Sequence, residues 1–224
     1  MKIGVLGTGV VGRTVAARLD ELGHPVTIGT RDPGATLARN EPELDGLTYA
    51  TWAADHRAVA LATFAEAAAA AELVVNASSG LASLDVLRQA GAENLAGKVL
   101  LDISNALDFS QGFPPRMGVP DTDSVAERIQ REFPDLRVVK SLNTLTASLM
   151  VHPETLPEPT SVFVSGDDAA AKATVVALLR ELGHTDIIDL GDITTARGTE
   201  MIMPLWLRLM GALGSPAFNF KIVR

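Results

Sequence analysis

The stretch Lys2-Ile3-Gly4-Val5-Leu6-Gly7-Thr8-Gly9-Val10-Val11-Gly12 decides the fold. Lys2 to Leu6 is a short run rich in branched apolar side chains and reads as a strand. Behind the glycines, Val11, Val15, Leu19 and Leu22 recur at helical spacing. Gly23 supplies a helix stop, and Val26-Thr27-Ile28-Gly29 reads as a second strand. Strand, glycine turn, helix and strand form one βαβ unit. Within it the three glycines have separate tasks. Gly7 permits the tight turn, Gly9 lets backbone approach a pyrophosphate, and Gly12 lets the helix pack close to the strand. The helix N-terminus beyond them offers unpaired amide donors and a partial positive charge to that pyrophosphate. Gly7, Thr8, Gly9, Val10, Val11 and Gly12 are therefore the expected dinucleotide-binding loop.

Outward from this unit, strand and helix patterns alternate. Expected helices cover 34–39, 64–71, 81–90, 125–133 and much of 193–213, with another marked by Ala171, Val175, Leu178 and Leu182. Expected strands cover 59–61, 73–76, 98–103, 137–141, 161–165, 186–190 and 218–223. Thr63 and Glu66 have the spacing of a capping box. The segment 105–123 carries Gly112, Pro114, Pro115, Gly118 and Pro120 and reads as a long binding loop or lid. The alternation predicts an α/β Rossmann-type, doubly wound, mostly parallel sheet with a small C-terminal helix and strand extension. Residues 1–142 form the expected dinucleotide-binding domain. Residues 143–224 form the expected substrate and dimerisation part.

Composition narrows the function. The 224 residues are 47% apolar, and 19 Lys and Arg stand against 27 Asp and Glu, a net charge of −8. With aromatics at 4%, this argues against nucleic acid, which needs a basic surface and stacking platforms. The absence of cysteine excludes a thiol nucleophile, a disulfide framework and a Cys-ligated metal, and suits a reducing cytoplasm. The start lacks an apolar signal segment. The greasiest stretch, 201–213, is broken by Pro204 and Arg208 and falls short of the ~20 residues of a membrane span. No membrane association is expected. His24, His56, His152 and His184 show no metal spacing, so no metal is expected. Glu-Leu-Gly-His occurs at 21–24 and at 181–184, read as cap chemistry used twice.

The end of the second strand selects the dinucleotide. A free ribose is usually held by an acidic residue about 20 residues past the glycines. Here the chain reads Gly29-Thr30-Arg31-Asp32. The Thr30 hydroxyl and the forked, permanently charged Arg31 suit a 2′-phosphate. NADP(H) is the expected cofactor, and Asp32 is the competing candidate for a free ribose.

From the glycine loop through Ile28-Gly29-Thr30-Arg31-Asp32, the chain resembles the coenzyme F420-dependent NADP oxidoreductases. The likeness continues at Val138-Val139-Lys140-Ser141-Leu142-Asn143-Thr144, Val164-Ser165-Gly166-Asp167-Asp168 and Ala196-Arg197-Gly198-Thr199-Glu200. It reaches Pro204-Leu205-Trp206 and Phe218-Asn219-Phe220-Lys221. The resemblance implies direct hydride transfer between the nicotinamide C4 and the C5 of the deazaflavin coenzyme F420, with the protein positioning both. It also implies that the loop Asn76-Ala77-Ser78-Ser79-Gly80 lies near the nicotinamide, which makes Ala77 and Ser78 candidate cofactor contacts. F420-reducing relatives carry Ile-Pro-Trp where this chain has Ala77-Ser78-Ser79, a departure that removes an aromatic wall.

Asn143 and Thr144 end a strand at the edge where ligands collect and are candidates to touch cofactor or substrate. Lys140 falls within the strand and is not expected to be catalytic. Arg197 and Glu200, three apart on a helix, are expected to pair with each other, with substrate binding as the alternative. The apolar Leu205, Trp206, Leu209 and Met210 are expected to be covered by a second copy of the chain, as a homodimer. Three readings follow. They are an F420-type NADPH oxidoreductase, an NADPH-dependent reductase of a small carbonyl or imine compound, and a non-catalytic NADPH sensor.

Overall fold

The computed structural model describes residues 1–224. In chain order its elements are β1 (Ile3–Leu6), α1 (Val10–Glu21), β2 (Val26–Thr30), α2 (Pro33–Ala38), α3 (Tyr49–Asp55), β3 (Ala60–Thr63), α4 (Phe64–Ala70) and β4 (Leu73–Asn76). There follow α5 (Ser83–Ala90), α6 (Ala92–Leu95), β5 (Val99–Asp102), β6 (Leu107–Asp108), β7 (Arg116–Met117), α7 (Val125–Glu132), β8 (Arg137–Lys140) and α8 (Ala147–Val151). The chain closes with β9 (Ser161–Ser165), α9 (Ala169–Glu181), β10 (Asp186–Gly191), α10 (Ala196–Met201) and α11 (Met203–Leu213).

Eight strands form one sheet in the order β10-β9-β8-β5-β4-β1-β2-β3. From β3 to β8 all neighbours are parallel. β9 runs antiparallel to β8, and β10 is parallel to β9. Strand order reverses between β1 and β4, which opens a crevice at their carboxyl ends. The period-two alternation of each strand feeds two cores. Ile3, Val5, Val75, Leu101 and Val139 face the core shared with α1, α8 and α9. Leu6, Val74, Leu100 and Val138 face the core shared with α4, α5 and α7. This confirms the doubly wound fold.

Helix ends follow local chemistry. Thr63 and Glu66 make the expected capping box on α4. Both Glu-Leu-Gly-His copies close their helices in the same way. The His24 amide donates to the Leu19 carbonyl and the His184 amide to the Leu179 carbonyl, each at 3.0 Å, with Gly23 and Gly183 at positive φ. The two copies also meet, since the His24 ring lies 2.9 Å from Glu181.

Several expectations are corrected. The helix expected across 193–213 is broken: a single tight turn at Ile193–Thr195 precedes α10, and α11 restarts with Pro204 in its first turn, where a missing N–H costs nothing. Residues 218–223 form no strand. They meet the start of β9, where the Ser161 amide donates to the Phe220 carbonyl at 2.9 Å, and Phe218 and Phe220 pack against α11. The loop 105–123 contains the two-residue hairpin β6–β7. No helix is long and apolar enough to cross a membrane.

Candidate dinucleotide and substrate cleft

The glycine loop leaves β1 and enters α1 as the sequence predicts. Gly7 sits at φ +131°, and a Cβ there would lie 2.6 Å from the Ala77 carbonyl oxygen. A Cβ on Gly12 would lie 2.2 Å from the Gly7 carbonyl oxygen. Both positions therefore exclude any larger residue. At Gly9 a Cβ would meet no atom within 4 Å, so that side of the loop is open to an approaching ligand. The N-terminus of α1 has no side-chain cap and no acidic residue in its first turn. Its amides are left to an external anion, which fits a pyrophosphate.

On one side of the loop lies a hollow of about 340 Å³ lined by Thr8, Thr30, Arg31, Asp32, Ala35, Thr36, Arg39 and Phe64. Arg31 is exposed and has no ion-pair partner in the protein. Asp32, the rival for a free ribose, is engaged elsewhere: its carboxylate caps α2 by accepting from the Ala35 amide at 2.9 Å. The Thr36 hydroxyl donates to the Asp32 carbonyl, so the Thr30 hydroxyl donates to Thr36 at 2.8 Å. Thr30 shapes the wall of the hollow and Arg31 carries its free charge. Arg39, not singled out from the sequence, adds a second guanidinium, paired with Glu43 at 3.2 Å.

On the other side lies a cleft of about 410 Å³. Its floor comes from the start of α1, Val10 and Val11, and from the loops at strand ends: Ala77 and Ser78, Ser104 and Asn105, and Asn143. Leu145, Met150, Met203 and Trp206 supply an apolar wall. The cleft thus unites Val10, Val11, Ala77, Ser78 and Asn143 of the expected set. Gly7, Thr8, Gly9 and Gly12 lie in the adjoining loop, and Thr30 and Arg31 in the other hollow. Ser104 and Asn105 follow β5 at the same edge as Ser78 and Asn143, so the strand-end rule locates them too. Met203 and Trp206 carry no such local signal. None of the residues lining the cleft is Asp, Glu, His, Lys, Arg or Tyr.

Beneath the cleft lies a buried polar row that register alone creates. Asn76, Asp102 and Lys140 are lateral neighbours on β4, β5 and β8. Lys140 and Asp102 have side chains 0% exposed, and their charged atoms are 2.9 Å apart. Glu200 of α10 lies 2.9 Å from the same ammonium and also accepts from the Val125 amide at the start of α7. Burial pushes the Lys140 ammonium down, and the charges of Asp102 and Glu200 more than offset it, so its pKa stands above lysine's ordinary value. Asp102 accepts from Asn76 Nδ2 at 2.9 Å, and Asn76 Oδ1 accepts from the Ser78 hydroxyl at 2.6 Å. The expected Arg197–Glu200 pair does not form. Arg197 instead forks onto Glu127 at 2.6 and 2.8 Å, because α10 packs its two faces against different partners. Trp206 is likewise covered by its own chain: it is buried and stacks on Phe218 with ring centroids 5.2 Å apart. Met201, Leu205 and Leu213 are the large apolar residues left exposed on this segment.

Beyond Lys140 the chain turns sharply at Leu142, which sits at φ +59°. A non-glycine residue in this left-handed region costs roughly 1–2 kcal/mol, and such strain gathers at functional sites. Here it swings Asn143 from the sheet edge into the cleft.

A family model described as coenzyme F420-dependent NADP oxidoreductase matches residues 2–106. A crystal structure of an Arthrobacter sp. FB24 protein, provisionally designated an F420-dependent NADP-reductase, shares 61% identity over all of both chains with a TM-score of 0.97. The metalloreductase STEAP3 of Rattus norvegicus is 31% identical over 211 residues, which is 92% of this chain and 38% of that protein. The F420-dependent NADP reductase of Methanocaldococcus jannaschii is 30% identical over 120 residues, 52% of each chain. The chain thus spans about a third to a half of the curated relatives it matches. Its glycine loop, its strand-end cleft and its end-to-end likeness to the Arthrobacter protein lead to one assignment: this chain belongs to the family of coenzyme F420-dependent NADP oxidoreductases.

Proposed function

We propose that the protein transfers a hydride between NADP(H) and the deazaflavin coenzyme F420. The observation that carries this reading is the absence of any titratable side chain among the residues lining the cleft. Reduction of a ketone ends on an alkoxide that a positioned acid must protonate. Hydride added to a deazaflavin ring leaves a charge that is delocalised over its pyrimidine ring and takes its proton from water, so transfer between two cofactor rings needs proximity and a shaped site more than a positioned acid. Bound NADPH would supply the hydride itself. The protein's residues hold, orient and shield. The amides of 7–12 take the pyrophosphate, Arg31 takes the 2′-phosphate with Arg39 beside it, and Ala77 and Ser78 border the nicotinamide. Trp206 and Met203 offer the broad apolar face that the small residues after β4 do not. A cleft of about 410 Å³ suits a small-molecule ligand and favours an enzyme over a sensor with a sealed cofactor.

On this reading residues 1–142 bind the dinucleotide, and 143–224 contribute Asn143, Met150, Met203 and Trp206 to the substrate side. A cytoplasmic homodimer completes the proposal, supported by the lack of cysteine and by the exposed Met201, Leu205 and Leu213. The test mixes purified protein, NADPH and oxidised F420 and follows deazaflavin absorbance. Bleaching that requires the protein supports the reading. Unchanged absorbance, with NADPH bound, defeats it.

A further inference from the structure

Asn143 is oriented twice over. Its Nδ2 donates to the Thr199 carbonyl at 2.9 Å and to Asn105 Oδ1 at 3.1 Å. A carbonyl can only accept, so the amide cannot be flipped without setting two oxygens against each other. Asn105 is held in turn, because its Nδ2 donates to the Asn143 carbonyl at 2.7 Å. Both Asn143 amide protons are thereby spent. Its Oδ1 is left without a protein donor, on a residue that lines the cleft and follows the strained turn at Leu142. Nearby hydroxyls are set the same way. Ser78 donates to Asn76 at 2.6 Å and Ser104 to Asp102 at 2.7 Å, which leaves oxygen lone pairs for any ligand. The charged Lys140–Asp102 pair fixes this polarity, since a carboxylate held by an ammonium can only accept.

We infer that Asn143 selects the second substrate by accepting a hydrogen bond from a ring N–H, and that this substrate is a planar cyclic amide or imide. The inference rests on the hydride-transfer reading above. It adds which edge of the acceptor the protein recognises. The ring stacks against the Trp206–Met203 side, and its N–H meets Asn143 Oδ1. A simple ketone has no such donor and leaves the oxygen unmatched on burial, a mismatch that binding sites reject strongly.

The experiment is an equilibrium titration of deazaflavin fluorescence with wild type and Asn143→Leu, using F420 and F420 methylated at its imide nitrogen. Wild type is expected to bind the N–H form about tenfold more tightly, the size of one hydrogen bond. Asn143→Leu is expected to bind the two forms within about twofold of each other. Wild type that binds both forms equally overturns the inference, whatever the variant does, so a misfolded variant cannot shield it. A folded variant that keeps the discrimination overturns it as well. Wild type that binds neither form removes the hydride-transfer reading along with it.

Discussion

Replacing Lys140 by Met would test how the cleft is held in place. The ammonium is fully buried, 2.9 Å from Asp102 and 2.9 Å from Glu200, and it also donates to the Ser104 carbonyl. Methionine keeps most of the volume and removes the charge. Two buried carboxylates then face each other without their cation. Removing one partner of a buried ion pair costs about 3–5 kcal/mol. In a chain of this size each kcal/mol moves Tm by roughly 2–4 °C, so a drop of about 6–20 °C is expected. The pH dependence identifies the cause. In wild type the folded-state pKa of Lys140 is raised, so its stabilisation is fully present below the unfolded value of about 10.4 and fades only at higher pH. The deficit of the variant is therefore expected at full size through neutral pH and to shrink only as pH rises past about 10, where wild type loses its ammonium. Urea unfolding followed by tryptophan fluorescence reads both effects, since Trp206 lies in the segment that Glu200 ties down. A deficit under about 1 kcal/mol at neutral pH, or one that does not shrink as pH rises past about 10, would refute the account. Adding Glu200→Gln to Lys140→Met should recover part of the loss.

Arg31→Ala should weaken NADPH about ten- to a hundredfold and leave NADH nearly unchanged, as calorimetry would show, because one charge-assisted contact contributes roughly 1.5–3 kcal/mol. Burial pushes the pKa of His184 below its ordinary value, so the neutral ring's stabilisation is complete above about pH 6.5 and lost as pH falls. Tm should decline below that pH in wild type and less steeply in His184→Gln. Leu205→Asp should shift a dimer to monomer by light scattering with NADPH affinity retained; an unchanged mass places any interface elsewhere. Hydrogen exchange across 105–123 should slow when NADPH and F420 are both present, because Asn105 and Leu107 line the cleft.

The cofactor loop was legible because its physics is local. Gly7, Gly9 and Gly12 are demanded by a turn, an open face and a close approach within six residues, and Thr30-Arg31 follows on the next strand in the same βαβ unit. The parallel, doubly wound class was legible for a related reason: alternating short apolar runs and helical stripes admit few other arrangements. The last helix was misread because an apolar stripe records that a face is covered and not by what. Trp206 turned inward onto Phe218, while Leu205 stayed outside. The Arg197–Glu200 spacing allowed a pair, but α10 packs between α7 and the sheet, and stronger partners lay across the gap. The row Asn76–Asp102–Lys140 and its link to Glu200 could not be read at all. Its members come from four distant segments, and only strand register and helix docking bring them within 3 Å. Sequence periodicity reports which face a residue takes. The residue opposite it, and so the direction in which Ser78 and Asn143 present their oxygens, is decided when the sheet closes and buried charges must find partners.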